Sequence, residues 1–239
     1  MVKEEHGRSE VPATLRTLGG PGYARDAPRS FVLQKRLNLV GMAEKPRIHL
    51  EPGKYYHLFN RGVNRNSIFQ ETADFDKFLD LVEIHVCPVA NVYSYAFLWD
   101  HWHLCISTFL EGDLPPHRLK DKHALGRVIG HLQNAYAKYY NHKYRRVSAV
   151  FEHKYERKEV DTLEYLKALV VYHHFNPQKH GFIDTYQGYT WTSYRTLIQQ
   201  ETPTFLQREI VWQKFGGQQA FLDAHSNYNE SFWDKLTVE

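Results

Sequence analysis

Tyr93-Ser94-Tyr95-Ala96-Phe97-Leu98-Trp99-Asp100-His101-Trp102-His103-Leu104-Cys105-Ile106-Ser107 reads as two strands and the turn between them. Residues 93–98 run out, Trp99-Asp100 reverses the chain, and residues 101–108 return, so that His101 stands at the mouth of a hairpin. Strand side chains alternate between faces with period two. His101, His103, Cys105 and Ser107 therefore share one face, and Trp102, Leu104, Ile106 and Thr108 share the other. The second set reads as the core face, and the first as a face kept free for chemistry. Two neutral imidazoles on adjacent same-face positions can grip one divalent ion. Spacing alone leaves another reading open, a surface strand that happens to carry two histidines.

Outward from the hairpin, residues 54–60 predict an earlier strand, ending in Arg61-Gly62-Val63-Asn64-Arg65-Asn66, a turn with two exposed cations. Residues 72–85 predict a helix in which Phe75, Phe78, Leu79, Val82 and Val86 form one buried stripe, with Pro88 closing it. Downstream, a loop over 111–122 leads to a second helix over about 123–141. Its buried stripe is Leu125, Val128, Leu132, Ala135 and Tyr139. Arg127, His131, Asn134, Lys138 and His142 line the opposite side. Residues 151–160 alternate well enough for a fourth strand. Asp161 and Glu164 have the form of a capping box opening a third helix, which Pro177 is expected to stop near Phe175. On that helix Tyr165, Leu169, Tyr172 and Asn176 share a face, and Tyr172 and Asn176 stand one turn apart. The order strand, helix, strand, strand, helix, strand, helix predicts an α+β fold. It is the ferredoxin-like or RNA-recognition-motif-like plan, an antiparallel sheet with helices on one face, plus an added helix carrying Tyr172.

The 239 residues suit one domain with additions. Residues 1–41, with Gly19-Gly20-Pro21-Gly22 and no sustained periodicity, are expected to be a disordered tail or an over-extended start, Met42 serving equally well as the first residue. Residues 42–200 form the expected domain and 201–239 a helical extension. No apolar run approaches the roughly 18–20 residues of a membrane span, and two cysteines, Cys87 and Cys105, fit a reducing cytoplasm without a disulfide framework. The net charge of +3 is unevenly spread: residues 118–159 hold 11 Lys and Arg against 4 Asp and Glu, the focused excess that a polyanion groove needs.

Four motifs occur in one order: Tyr56-His57-Leu58-Phe59-Asn60-Arg61-Gly62, His101-Trp102-His103, Phe151-Glu152-His153-Lys154-Tyr155 and Tyr172-His173-His174-Phe175-Asn176-Pro177. Over about residues 53–200 the chain resembles REP-associated tyrosine transposases, insertion-sequence-200-like single-tyrosine members of the His-hydrophobic-His (HUH) endonuclease superfamily. Residues 211–225 also resemble the tail of some members. The resemblance implies that His101 and His103 are metal ligands, Asn176 a polar third ligand and Tyr172 the nucleophile. Many relatives carry Pro-Asn where Trp99-Asp100 stands here, and an Ile-His or Ile-Tyr pair where His173-His174 stands. Neither departure removes a ligand or the nucleophile, although Asp100 alters the charge beside the metal.

The implied chemistry is coherent. Two imidazoles and an amide oxygen suit Mg²⁺ or Mn²⁺, with Mn²⁺ better matched to nitrogen, and leave positions for phosphate oxygens. A phenol ionises near about 10, so Tyr172 must lose its proton to a base, to water or to a metal-bound oxygen as it attacks. The expected product is a 5′-phosphotyrosine and a free 3′-hydroxyl, whose covalent bond keeps the energy needed to rejoin strands. The expected partner is single-stranded or hairpin DNA, with Arg61, Arg65, Arg127, Lys138, Lys143, Arg145, Arg146, Lys154, Arg157 and Lys158 as phosphate contacts. No membrane and no obligate protein partner are expected, and a cytoplasmic, DNA-associated monomer is. A catalytically inactive hairpin-binding protein and a hydrolytic metallonuclease are the competing readings.

Overall fold

The computed structural model describes residues 48–200 and 204–228, so the reading of residues 1–41 falls outside them. Four strands form one antiparallel sheet: β1 (Tyr55–Arg61), β2 (Ala90–Leu98), β3 (His101–Thr108) and β4 (Glu156–Glu159), in the order β2-β3-β1-β4. The hairpin pairs Leu98 with His101 across Trp99-Asp100. The β1–β3 ladder runs from Tyr55 opposite Ser107 to Arg61 opposite His101. Two helices, α1 (Thr72–His85) and α2 (Ala124–Lys143), cover one face. There Phe78 packs its ring 5.0 Å from Phe97, 5.6 Å from Trp102 and 5.0 Å from Tyr136. This is the α+β, ferredoxin-like order expected from the sequence.

The added helix, α3 (Leu163–Lys179), covers the other face and packs on β2 and β3. The face expected to be kept free for chemistry is therefore roofed: His103, Cys105 and Ser107 are buried, and only His101, at the strand end, keeps partial exposure. Alternation tells which side chains share a face but not which face stays open; here both are covered.

Three further boundaries differ from expectation. The fourth strand is only four residues long, because residues 152–155 are held in a bend by Glu152 N–H on the Arg61 carbonyl (2.9 Å) and Asn60 Nδ2 on the His153 carbonyl (2.8 Å). Thr162, not Asp161, caps α3, its hydroxyl accepting from Tyr165 N–H at 3.1 Å. Pro177 lies inside α3 and does not end it. The one lost backbone bond is outweighed by continuous burial from Ala168 to Pro177, and His180 N–H resumes the ladder on the Asn176 carbonyl at 3.0 Å. On α2 the buried stripe is rotated, with Ile129, Tyr136 and Tyr140 inside and Ala135 and Tyr139 at its margin.

Past α3 come a short helix α4 (Tyr194–Ile198), then α5 (Arg208–Phe215) and α6 (Gln218–Ser226), the last two separated by Gly216 and Gly217 at positive φ (96° and 118°), where a side chain would be strained. Gln207 N–H bonds the Val92 carbonyl at 3.0 Å, and the Arg208 guanidinium bonds the Thr196 and Gln200 carbonyls, so this extension is laid along β2. Among the described residues, no helix is long and apolar enough to cross a membrane.

Candidate active site

The turn that carries His101 is tied down from both sides. Gly62 N–H bonds the Asp100 carbonyl at 2.7 Å, and Ile68 and Phe69 N–H both bond the Trp99 carbonyl at 2.7 and 3.0 Å. A side chain at position 62 would run into the Asn66 carbonyl, so the Arg61-Gly62 turn can press this close only with glycine.

The rings of His101 and His103 stand edge to face, 5.2 Å apart, and each is oriented through Nδ1. His101 Nδ1 lies 2.6 Å from Asp100 Oδ1 and His103 Nδ1 lies 3.0 Å from His57 Nε2. Burial pushes the Asp100 carboxyl up, but its hydrogen bond to His101 and the charge of that ring outweigh burial and hold it below the usual carboxylate range. A carboxylate that close requires an N–H on Nδ1, so Nε2 is the nitrogen His101 offers to the site.

Asn176, fully buried on α3, places Oδ1 3.2 Å from His101 Nε2, while its Nδ2 has no hydrogen-bond partner. Two acceptors meeting across that distance are favourable only with positive charge between them, a proton or a shared cation. Turning the amide over would let Nδ2 donate to the same nitrogen, so one side chain serves the site with or without an ion. Tyr172, one turn earlier, puts its ring 6.0 Å from that of His103, with Lys179 Nζ 5.6 Å from the phenol ring. The sequence-derived set His101, His103, Asn176 and Tyr172 is thus gathered at one end of the sheet, under α3. The tyrosine is closed over, at 1% exposure.

Sequence reasoning gave no role to three residues that the fold brings here. His57 on β1 and His173 on α3 are fully buried, with ring centroids 5.2 and 5.5 Å from that of His103. One nitrogen each of His57, His103 and His173 lies within 4.8 Å of the others, and the three could hold a metal ion. Burial is the main cause that drives both His57 and His173 well below the usual histidine range, with the charge of neighbouring histidines adding to it. The third residue is His180, its ring 5.1 Å from that of His101. For His57 a signal existed: Leu58 is the core residue of β1, so period two puts His57 on the site face.

The cations divide into separate groups. Arg127, Lys154 and Arg157 line a groove of about 580 Å³ between α2 and residues 149–157, together with Lys122, His49, His123 and His153. Arg127 is held there by both oxygens of Asp121 (3.0 and 2.9 Å), and Arg157 lies over the Tyr155 ring at 4.7 Å. Lys138 is exposed on α2, as are His131 and His142, and lies outside the lining of that groove, to which Arg127 and Asn134 belong. Lys158 alternates to the opposite face from Arg157 and sits over the Phe59 ring at 5.7 Å, on the histidine side. Arg61 pairs with Glu152 at 2.6 Å. Lys143 turns inward to Asp74 (2.6 Å) and Glu71 (2.7 Å), where it holds the fold together. Arg146 lies over the Tyr140 ring at 5.4 Å, and Arg65 and Arg145 are exposed at positive φ (58° and 51°).

No family model matches the sequence, and no curated protein matches it. Among solved structures, that of a REP-associated tyrosine transposase bound to a REP hairpin matches with a TM-score of 0.50 at 15% identity, over 69% of this chain and 90% of that one. At that identity the likeness is one of fold.

Proposed function

We propose that this protein is a metal-dependent enzyme that nicks single-stranded DNA with Tyr172 and transfers the cut strand. The observation that carries this reading is the convergence of His101 Nε2 and Asn176 Oδ1 at 3.2 Å, one helical turn from Tyr172 and beside His103. Fold likeness to a transposase bound to a DNA hairpin supports the substrate class.

His101, His103 and Asn176 fit a hard or borderline divalent ion, Mg²⁺ or Mn²⁺. When bound there, such an ion supplies Lewis-acid polarisation of a phosphoryl oxygen and charge neutralisation at the leaving oxygen. The remaining roles belong to the chain. Asp100 fixes the His101 tautomer, and His57, accepting from His103 Nδ1–H, fixes the tautomer that turns His103 Nε2 toward the ligand set. The Tyr172 oxygen forms the bond to phosphorus as the P–O3′ bond breaks. The phenolic proton leaves to solvent and the 3′-oxygen departs as a hydroxyl. Reversal by an incoming 3′-hydroxyl rejoins the strand. Because Tyr172 is covered in this conformation, DNA binding must displace what lies over it, and Lys179, already against the phenol, is placed to meet the phosphate.

The test is a labelled single-stranded hairpin DNA incubated with Mn²⁺ and run on a denaturing gel. Wild type is expected to give a protein–DNA adduct that Tyr172→Phe abolishes; an undiminished adduct in that variant excludes Tyr172 as nucleophile. A second reading, an inactive hairpin-binding protein, is favoured by the burial of Tyr172. It predicts salt-sensitive binding that is indifferent to chelator, and no adduct.

A further inference from the structure

We infer that His57, His103 and His173 form a second, inner metal site for a borderline transition ion such as Zn²⁺, and that its occupation excludes an ion from the outer site. The three rings join three elements, β1, β3 and α3, and are 0 to 2% exposed. Each offers one nitrogen, all within 4.8 Å of one another. His57 spends Nε2 on His103 and His173 spends Nδ1 on Ser94 Oγ at 2.9 Å. That leaves His57 Nδ1 and His173 Nε2 buried with no hydrogen-bond partner. Unpartnered buried nitrogens are costly, and an ion held by one lone pair from each of the three rings would replace the His57–His103 hydrogen bond as it binds.

The donor chemistry separates this site from the outer one. An all-imidazole set without oxygen suits Zn²⁺, Co²⁺ or Ni²⁺ and gives Mg²⁺ little, whereas the outer set includes an amide oxygen. His103 belongs to both. A neutral imidazole has one lone pair in its plane, so His103 serves either the inner cluster or, with Nδ1–H donated to His57, the outer one. Zn²⁺ would thus lock β1, β3 and α3 together and silence the nicking site. That second clause rests on the function proposed above; the inner site itself does not.

The experiment uses the full chain stripped of metal. Co²⁺ is added as a visible-absorption probe, and Zn²⁺ and Mn²⁺ are titrated by calorimetry. One Zn²⁺ is expected per chain, and bound Co²⁺ should show the intense visible bands of a low-coordinate nitrogen site. Zn²⁺ affinity is expected to fall at least about 100-fold in His57→Gln and in His173→Gln and to change little in Asn176→Ala. Mn²⁺ affinity should show the reverse dependence on Asn176 and be lost after Zn²⁺ loading. Zn²⁺ affinity unchanged in both histidine variants overturns the inner site. Zn²⁺ lost in Asn176→Ala alone places the ion outside and leaves the nicking reading standing. An intact inner site with Mn²⁺ binding indifferent to Asn176 overturns the outer ligand set and the exclusion with it. Should the histidine variants fail to fold, anomalous diffraction from wild-type crystals soaked in Zn²⁺ decides: a peak among the three rings supports the site, and a peak elsewhere or none refutes it.

Discussion

Asp100 shows how one side chain sets the character of its neighbour. Its carboxylate lies 2.6 Å from His101 Nδ1, and their side chains keep only 26% and 13% of their exposure. A carboxylate behind a ligating imidazole fixes the ring, and loss of such a partner weakens metal affinity about 10- to 100-fold. Asp100→Asn is therefore expected to weaken Mn²⁺ binding by that factor, with an unchanged circular dichroism spectrum. Calorimetry checks it, and equal affinities would mean that His101 is not oriented through Asp100. Asp74 has the same kind of influence on stability. Fully buried at the start of α1, it accepts from Gln70 N–H, Tyr139, Lys143 and Tyr144. Burial pushes its carboxyl up, and these partners outweigh burial and hold it below the ordinary range. Asp74→Ala leaves Lys143 without its buried partner and is expected to cost about 3 kcal/mol, read as a shift in the urea midpoint. A shift under about 1 kcal/mol would show Glu71 taking over the pairing.

At the scale of the element, α3 is the least legible part of the sequence and the most consequential. The hairpin, β1 and the span of α1 follow from local pattern: alternation through His101–Thr108, and the stripe through Phe75, Phe78 and Val82. In α3 Pro177 reads as a stop, yet it is carried through because both sides of the helix are covered, by the sheet and by α6, and burial outweighs one missing hydrogen bond. The same two-sided burial hides the roles of His173 and His174. One meets the sheet histidines, and the other bonds His225 of α6 at 2.7 Å and Ser193 at 2.8 Å. Pattern along one element cannot reveal partners that lie 19 or 51 residues away. This docking has a pH signature. Burial, partly offset by a bond to the Phe221 carbonyl, lowers His225 from 6.5 to about 4. The unfolded chain therefore binds the extra proton between those values. Stability is complete above about pH 6.5 and falls as the pH drops toward 4, by roughly 3 kcal/mol from this group. Urea melts at pH 7.5 and 4.5 should show that loss, and His225→Gln should flatten the dependence by about one proton; an unchanged slope would mean that α6 has already left α3.

Across the whole molecule, two cationic regions lie on opposite faces of one sheet. Arg157 and Lys158, adjacent on β4, point one to the α2 groove and the other to the histidine face. β4 is the edge strand of the sheet, so these two side chains stand on either face of its rim. The sequence shows the excess of charge over residues 118–159 but not this division, because β4 alternation is too brief to assign and several cations are already paired within the protein. Lys143 is committed to Asp74 and Glu71, whereas Lys122, Lys154 and Arg157 face the groove. Phosphate contacts release counterions, and each contributes about 0.9 to the slope of log affinity against log salt on duplex DNA. Replacing Lys122, Lys154 and Arg157 together by Ala is expected to lower that slope for a hairpin by about 2 to 3, with Tm preserved within a few degrees. Lys138→Ala tests separately the part of α2 beyond the groove. Anisotropy of a labelled hairpin from 50 to 300 mM salt measures both. A slope untouched by the triple change, but reduced by loss of Lys158 and Lys179, would move the duplex from the groove to the α3 face and make the histidine side the whole of the binding surface.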